Sequence, residues 1–228
     1  MSPLAQRQVL VSGAASGIGA AIARQLAAAG AEVMGTDLRA TPPAQLTADL
    51  RSQAEVDALF AAVHPRLPAL DTLVLCAGTG VHERLDAGDP ARWAQVLEVN
   101  VLGALRLIRA FVPQLLQRPA SDVLIIGSVA ARQAYPYGGV YGASKAALEA
   151  IAETLRLEVL PACRVSVIAP GVTDTPFFER AGGGQSVAGI GCGALQADEV
   201  AALALTVLAQ PAGVAVSHLT VRPRAQTF

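Results

Sequence analysis

Tyr141 and Lys145 are the two residues of this sequence whose types and spacing could do acid–base chemistry. Residues four apart in a helix project from the same face, one turn from each other. A lysine ammonium beside a phenol favours the phenolate and lowers the tyrosine pKa from its usual value of about 10. The tyrosine could then act as a proton donor and acceptor near neutral pH. The same spacing also occurs in helices that only pack, so the interpretation requires a cofactor and a pocket elsewhere in the chain.

A glycine-rich turn, Ser12–Gly19, lies between a predicted strand and a predicted helix. Its spacing is G-x3-G-x-G, which differs from the general dinucleotide fingerprint G-x-G-x-x-G. Gly13 permits a tight turn off the strand, and Gly17 and Gly19 allow the backbone to come close to a pyrophosphate. The helix N-terminus offers free N–H groups and the positive end of its dipole. The turn therefore predicts dinucleotide binding, with a merely structural turn as the alternative.

Asp37 follows the next predicted strand, Glu32–Thr36, where the adenosine ribose of a dinucleotide is expected. A carboxylate there accepts a hydrogen bond from a ribose diol and repels a 2′-phosphate. Arg39 complicates this, because an arginine can accommodate that phosphate. A capping role for Asp37 is the structural alternative. We expect NAD as the cofactor, with NADP as the alternative.

The composition provides ample apolar material and little net charge. Of 228 residues, 53% are hydrophobic and 15% are charged, and the net charge is −1. These values favour one large core and give no basic surplus for nucleic acid or anionic membranes. No apolar run reaches the length of a membrane span, and the N-terminus has no apolar signal region. Cys76, Cys163 and Cys192 lack CxxC spacing and are interpreted as free thiols in the cytoplasm.

Strands and helices alternate along the chain. The predicted strands cover residues 8–12, 32–36, 46–50, 71–76, 121–127, 164–169 and 219–221, and the predicted helices cover 17–29, 52–63, 91–116, 140–160 and 197–208. Pro113 predicts a bend or a break in helix 91–116. Residues 172–195 contain six glycines and predict a mobile loop, whose part from about 176 to 195 would cover a substrate. The alternation predicts an α/β fold over residues 1–228 in one domain, a doubly wound parallel sheet with helices on both faces.

Several small or polar residues directly follow predicted strands, at the edge where such sheets bind ligands. They are Gly13, Asp37, Cys76-Ala77-Gly78, Ser128 and Pro170-Gly171. Ser128 could polarise a substrate oxygen, although a lone serine at a strand end is more often a turn residue. Asn100, inside the predicted helix 91–116, is either a satisfied core amide or a functional kink.

Together these positions resemble the short-chain dehydrogenase/reductase family in its single-domain form, whose fold is Rossmann-type and has three layers, αβα. The resemblance extends from Gln8 to about Val221. The motifs, in the family's order, are Ser12-Gly-x3-Gly-Ile-Gly19, Asp49, Cys76-Ala77-Gly78, Asn100, Ser128, Tyr141-x3-Lys145 and Pro170-Gly171. The sequence departs from the family at Cys76, which replaces an asparagine, at Ser12, which replaces a threonine, and at Thr173, where an aliphatic residue is common.

The resemblance implies four catalytic residues. Tyr141 would be the general acid/base on the substrate oxygen, and Lys145 would lower its pKa and bond the nicotinamide ribose. Ser128 would hold the carbonyl or alcohol oxygen. Asn100 would keep the helix geometry that supports a water-linked proton relay. No metal is expected, because the cofactor carries the hydride.

The resemblance also implies a cofactor site that extends from the pyrophosphate to the adenine and the carboxamide. Its residues are Gly13, Ser16, Gly17, Ile18, Gly19, Asp37, Leu38, Asp49, Leu50, Cys76, Ala77, Gly78, Pro170, Gly171, Thr173 and Thr175, with Tyr141 and Lys145.

The expected function is hydride transfer between NAD and a secondary alcohol or ketone, by a cytoplasmic homodimer or homotetramer. One alternative is a non-catalytic NAD(H)-binding regulator of the same fold. Another is a nucleotide-sugar epimerase or dehydratase, whose larger C-terminal region this length does not provide. Neither nucleic acid nor a membrane is an expected partner.

Residues outside these motifs could shape the substrate pocket, but they do not identify the substrate. Phe177 and Phe178 are expected to cap the cavity. Arg132 and Tyr135 are pocket candidates on position alone. His82 is interpreted as a surface loop histidine that could reach a substrate.

Overall fold

Seven parallel strands form the central sheet of the computed structural model, which describes residues 3–182 and 187–227. The strands of the chain are β1 (Gln8–Ser12), β2 (Glu32–Asp37), β3 (Ala44–Thr47), β4 (Thr72–Leu75), β5 (Ser121–Ile126), β6 (Cys163–Pro170), β7 (Thr173–Asp174), β8 (Leu195–Gln196) and β9 (His218–Val221). The sheet has the order β3-β2-β1-β4-β5-β6-β9, and β7 pairs with β8 in a separate parallel ladder.

Helices cover both faces of the sheet. They are α1 (Gly17–Ala28), α2 (Gln53–Val63), α3 (Pro90–Leu97), α4 (Gly103–Leu115), α5 (Gly139–Val159), α6 (Phe177–Ala181), α7 (Val187–Ile190) and α8 (Ala197–Leu208). Ile22 of α1 and Ala201 of α8 are buried in one apolar cluster. Leu59 of α2, Phe111 of α4 and Leu155 of α5 are buried in another. The predicted three-layer α/β fold is confirmed.

The strand order reverses at β1, and side-chain bonds hold β1 and β4 together there. Ser12, the last residue of β1, accepts hydrogen bonds through Oγ from the N–H groups of Cys76 at 3.1 Å and Ala77 at 3.3 Å. The same hydroxyl lies 3.3 Å from the Val74 carbonyl oxygen, to which it donates. Connections leave β1 and β4 in opposite directions, which opens a crevice beyond their carboxyl ends, the usual ligand site of such sheets.

The predicted helix 91–116 is interrupted, but not at Pro113. Between α3 and α4 the backbone forms one π-helical turn, Glu98–Leu102, and Pro113 lies inside α4. The π-turn contains Asn100, whose side chain is 1% exposed and bonds to neighbouring elements. An inserted π-turn is a frequent feature of functional sites. The helix therefore does not break at Pro113, and the interruption is instead the turn that contains Asn100.

Two further predictions differ from the structure in detail. The strand predicted over 46–50 is observed at Ala44–Thr47, and it is followed by a turn in which the Ser52 N–H donates to the Asp49 carbonyl at 2.9 Å. The described part of the predicted loop 172–195 contains the short elements β7, α6, α7 and β8, and its mobility stays a prediction. Gly183 and Gly184, which the loop prediction included, lie outside the described residues.

Buried charges connect strands at the amino end of the sheet. Arg7 donates to the carboxylates of Asp71 at 2.7 Å and Asp122 at 2.6 Å. Arg164 donates to the other oxygen of Asp122 at 2.7 Å. The Asp122 side chain is only 6% exposed, and the two guanidinium groups together balance the carboxylates of Asp122 and Asp71. Within residues 3–182 and 187–227, no helix has the length and apolarity to cross a bilayer.

Candidate active site

A cleft of about 880 Å³ opens beyond the carboxyl ends of the strands, at the reversal between β1 and β4. Its volume is within the range of small-molecule and cofactor sites. All the residues implied for the cofactor site line it, and so does Ser128. They are Gly13, Ser16, Gly17, Ile18, Gly19, Asp37, Leu38, Asp49, Leu50, Cys76, Ala77, Gly78, Tyr141, Lys145, Pro170, Gly171, Thr173 and Thr175.

The glycine-rich turn lies tightly between β4 and the start of α1. Gly13 has φ +72°, and a Cβ there would lie 2.7 Å from the Ala77 Cα. A Cβ on Gly19 would overlap the Gly13 carbonyl. Ser16 is the N-cap of α1, but its side chain makes no capping bond within the described turn. The Ser16 side chain thus does not block the N-terminus of the helix, and the residues present fit a diphosphate.

Acidic side chains line the end of the cleft that follows β2 and β3. Asp37 ends β2 and accepts through Oδ2 from the Ala15 N–H at 3.1 Å, which ties it to the glycine-rich turn. Asp49 accepts from Arg51 at 2.6 Å, and this side-chain bond lowers the pKa of the Asp49 carboxyl. Arg39 lines the cleft and is exposed. The end of the cleft that follows β2 and β3 therefore carries both signs of charge.

Tyr141, Lys145 and Ser128 meet at the opposite end. Tyr141 and Lys145 lie one turn apart in α5, with the Lys145 Nζ 5.9 Å from the Tyr141 ring centroid. Lys145 Nζ donates to the Ile126 carbonyl oxygen at 2.9 Å, at the end of β5. Ser128 is the N-cap of a short 3₁₀ turn, Val129–Ala131, and its Oγ accepts from the Ala130 N–H at 3.1 Å. The structure therefore brings these three candidate catalytic side chains to one place.

The pKa of Tyr141 differs from the expectation. Burial raises it above its ordinary value, and the neighbouring Ser128 hydroxyl opposes that rise. Burial also lowers the pKa of Lys145 to about 8. Removal from water disfavours both the phenolate and the ammonium. The pKa of Tyr141 in the protein alone is therefore above its ordinary value, whereas a lowering effect of Lys145 on it stays a prediction.

Asn100 lies behind the cleft rather than in its wall. Its Nδ2 donates to the Thr79 carbonyl at 2.9 Å and to the Ser144 Oγ at 3.0 Å, and its Oδ1 accepts from the Thr79 N–H at 2.8 Å. Ser144 Oγ in turn donates to the Tyr141 carbonyl at 2.7 Å. The amide is both a satisfied core group and the centre of the π-turn. It connects the segment after β4 with the first turns of α5.

Cys76, one of the departures from the expected pattern, lies beside the glycine-rich turn. Its Sγ would lie 3.3 Å from a Cβ on Gly19. Burial raises the pKa of the Cys76 thiol to about 12, while the charge of Lys145 opposes the rise. The side chain therefore remains a neutral thiol near neutral pH. Cys76, Cys163 and Cys192 are free, as predicted.

An aromatic wall lies next to Tyr141. The Phe177 ring is 5.1 Å from the Tyr141 ring, and Phe178 stacks on His82 at 6.3 Å. His82 Nε2 and the Tyr135 hydroxyl are 3.2 Å apart. Both phenylalanines line the cleft, as expected. His82 is 6% exposed because α6 covers it, so its interpretation as a surface residue was wrong, and burial lowers its pKa.

Arg180 and Gln226 are among the residues that line the cleft and that sequence reasoning missed. Gln226 Oε1 accepts from the Val172 N–H at 2.9 Å, and Arg180 Nη1 donates to the Ser16 Oγ at 3.2 Å. Both contacts join distant parts of the chain, and no local pattern signals them. Arg132 does not line the cleft and pairs with Glu149 at 2.7 Å, whereas Tyr135 does line it.

Comparison with known proteins identifies the family. The family model described as short chain dehydrogenase matches residues 7–185. Sulfoacetaldehyde reductase of Chromohalobacter salexigens is 30% identical over 240 residues, covering 96% of this chain and 95% of that protein. Human 17-beta-hydroxysteroid dehydrogenase type 1 is 34% identical over 200 residues, covering 78% of this chain and 60% of that protein.

A solved structure extends the similarity to the whole fold. An alcohol dehydrogenase from the archaeon Thermococcus sibiricus, complexed with 5-hydroxy-NADP, superposes with a TM-score of 0.86 at 27% identity, covering 98% of this chain and 99% of that one. The chain belongs to the short chain dehydrogenase family. It is an oxidoreductase of that family, with structural neighbours that bind nicotinamide cofactors.

Proposed function

We propose that this protein transfers a hydride between a nicotinamide dinucleotide and a neutral secondary alcohol or ketone. One observation carries the proposal: a single cleft joins the glycine-rich turn and Asp37 to Ser128, Tyr141 and Lys145. The nicotinamide supplies or accepts the hydride when it is bound. The protein's own residues orient the reactants and handle the proton.

Tyr141 is the proposed proton donor and acceptor. Because burial raises its pKa, the phenol keeps its proton near neutral pH and is poised as the acid for ketone reduction. Alcohol oxidation needs the deprotonated form, so we expect its rate to rise with pH. The Ser128 hydroxyl holds the substrate oxygen, and Lys145 orients the ribose and stabilises the phenolate. Asn100 positions the start of α5 through Ser144.

We propose NAD as the preferred cofactor. The support is Asp37, since a carboxylate at the end of β2 favours a free 2′-hydroxyl and repels a 2′-phosphate. The exposed Arg39 and the archaeal relative with an NADP analogue make NADP the alternative. The Asp37→Ser variant should shift the kcat/KM ratio toward NADPH. A wild-type protein that is several-fold more efficient with NADPH than with NADH would overturn the choice of NAD.

The aromatic wall supports a neutral, largely apolar substrate. His82, Tyr135, Phe177 and Phe178 surround the space next to Tyr141, and a substrate charge would be desolvated there without a counter-ion from these four residues. The human relative is named for a hydroxysteroid and the bacterial one for sulfoacetaldehyde, a sulfonate. The aromatic wall therefore favours an uncharged substrate over an anionic one.

We also propose that residues 1–228 act as one domain in a homodimer or homotetramer. Exposed leucines support an interface: Leu97 at the end of α3 is 42% exposed, and Leu157 of α5 is 61% exposed. Light scattering tests this, and a monomeric mass would contradict it.

The Tyr141→Phe variant tests the catalytic assignment. The variant keeps the ring that packs on Phe177, so it should bind NADH with wild-type affinity. Turnover should fall by about 10²–10⁴, the usual effect of removing a general acid/base. Affinity is measured by fluorescence titration, and turnover by the absorbance of reduced nicotinamide. Near-normal turnover would refute the role of Tyr141.

A further inference from the structure

The short helix α6 touches both functional ends of the cleft. At its start, the Phe177 ring lies 5.1 Å from the Tyr141 ring. Near its end, Arg180 Nη1 donates to the Ser16 Oγ at 3.2 Å. Just before the helix, Thr175 packs on the glycine-rich turn, since a Cβ on Gly17 would lie 3.1 Å from the Thr175 Cγ2. The helix therefore spans from the proton-handling tyrosine to the start of α1.

The contact with Ser16 places a cation at the N-terminus of α1. Ser16 is the N-cap of this twelve-residue helix, and its side chain makes no capping bond within the described turn. The Ser16 hydroxyl instead accepts a hydrogen bond from the Arg180 guanidinium, which reaches it from across the cleft. Arg180 is exposed, and no described carboxylate lies within ion-pair distance of it. The guanidinium has a neutral partner where an anion would be a stronger one.

The other cations that line the described cleft are placed elsewhere. Arg51 pairs with Asp49 in the loop after β3, and Arg39 follows Asp37 beyond β2. Lys145 is buried and donates to the Ile126 carbonyl. Arg180 is thus the described cation that reaches the glycine-rich turn. Its planar guanidinium matches two phosphate oxygens at once.

We propose that Arg180 binds the diphosphate of the dinucleotide, exchanging its bond with Ser16 for phosphate oxygens. The cofactor then holds α6, and with it Phe177, against the cleft. Diphosphate recognition by this chain is shared between the N-terminus of α1 and a side chain from the substrate-covering segment. The inference rests on the proposed nicotinamide cofactor and adds that cofactor binding sets the position of the aromatic wall.

Binding of diphosphate-containing and diphosphate-free ligands to Arg180→Gln tests the proposal. ADP-ribose and NADH are titrated by calorimetry, and adenosine by NMR. The variant should bind ADP-ribose and NADH about tenfold more weakly, as expected for the loss of a charge-assisted hydrogen bond in a partly exposed site. Adenosine affinity should not change. Arg180→Lys should lose less affinity for ADP-ribose and NADH than Arg180→Gln, because lysine keeps the charge but not the bidentate geometry.

Arg24→Gln is the matched control. Arg24 is an exposed arginine of α1 that pairs with Asp198 outside the cleft, so its loss changes the net charge equally and should leave ADP-ribose affinity intact. ADP-ribose should also slow chymotryptic cleavage after Phe177 and Phe178 in the wild type, but not in Arg180→Gln.

Equal ADP-ribose affinities of wild type and Arg180→Gln would overturn the inference. So would a matching loss of adenosine affinity, since the lost interaction would then not involve the diphosphate. A wild-type protein that binds neither ADP-ribose nor NAD(H) would instead refute the proposed function itself.

Discussion

Lys145 offers a direct measurement of how strongly the cleft disfavours charge. It is the only lysine in the sequence, so protein labelled with ¹³C-lysine shows one side-chain signal. Its side chain is buried, and Nζ donates to the Ile126 carbonyl at 2.9 Å. Burial lowers the pKa of Lys145 from 10.5 to about 8. An NMR titration of this signal should therefore have its midpoint near pH 8.

The depressed pKa has a consequence for stability, whose sign follows from proton counts. Below about pH 8 the lysine is charged in the folded and unfolded states, so folding carries the full cost of burying the ammonium. Between about pH 8 and pH 10.5 the folded lysine loses its proton first, and stability recovers. The fall of the Lys145 pKa from 10.5 to about 8 corresponds to about 3 kcal/mol of unfolding free energy, of which about 2 kcal/mol is recovered by about pH 9.5.

The Lys145→Met variant isolates this effect. Methionine removes the charge but leaves the Ile126 carbonyl without its donor, which costs about 1 kcal/mol. The variant should be about 2 kcal/mol more stable than the wild type near pH 7, and about equal to it near pH 9.5. Urea unfolding followed by circular dichroism measures both. The reasoning would be refuted if the stability advantage of Lys145→Met stayed constant or grew with pH. An NMR midpoint of Lys145 near pH 10 would also refute it.

Two substitutions test contacts away from the proton-handling residues. Asp122→Asn should lower the free energy of unfolding by about 2–3 kcal/mol, because Arg7 and Arg164 both lose a buried charged acceptor; an unchanged denaturation midpoint would contradict this. Gln226→Leu should cost about 1–2 kcal/mol by leaving the buried Val172 N–H without its acceptor, whereas Gln226→Glu keeps an acceptor and should cost less; equal losses in the two variants would argue against that bond.

The fold was predictable because its signals are local. Alternating apolar runs and helical segments define a parallel sheet, and parallel strands place their carboxyl ends at one edge. That rule gathers Gly13, Asp37, Ser128 and Pro170 in one cleft without any knowledge of distances. The α8 helix was predicted with the bounds that the structure shows, since an apolar helical pattern with Asp198 in its first turn marks it clearly.

What could not be predicted depends on contacts between distant segments. The direction of the Tyr141 pKa shift follows from burial by other parts of the chain, which helical spacing does not reveal. Asn100 in the π-turn bonds to Thr79 and Ser144, which lie in other elements of the chain. His82 is buried only because α6 folds over it. In each case the partner is remote in sequence, so no local pattern could reveal it.

The most direct test of the central claim is hydride transfer itself. Purified protein is mixed with NAD or NADP and a panel of neutral secondary alcohols, and with the reduced cofactors and the matching ketones, while the absorbance of reduced nicotinamide is followed. We predict turnover with neutral, largely apolar substrates, faster with NAD(H), and its loss in Tyr141→Phe. Tight cofactor binding without turnover across the panel, or turnover that survives in Tyr141→Phe, would contradict the account.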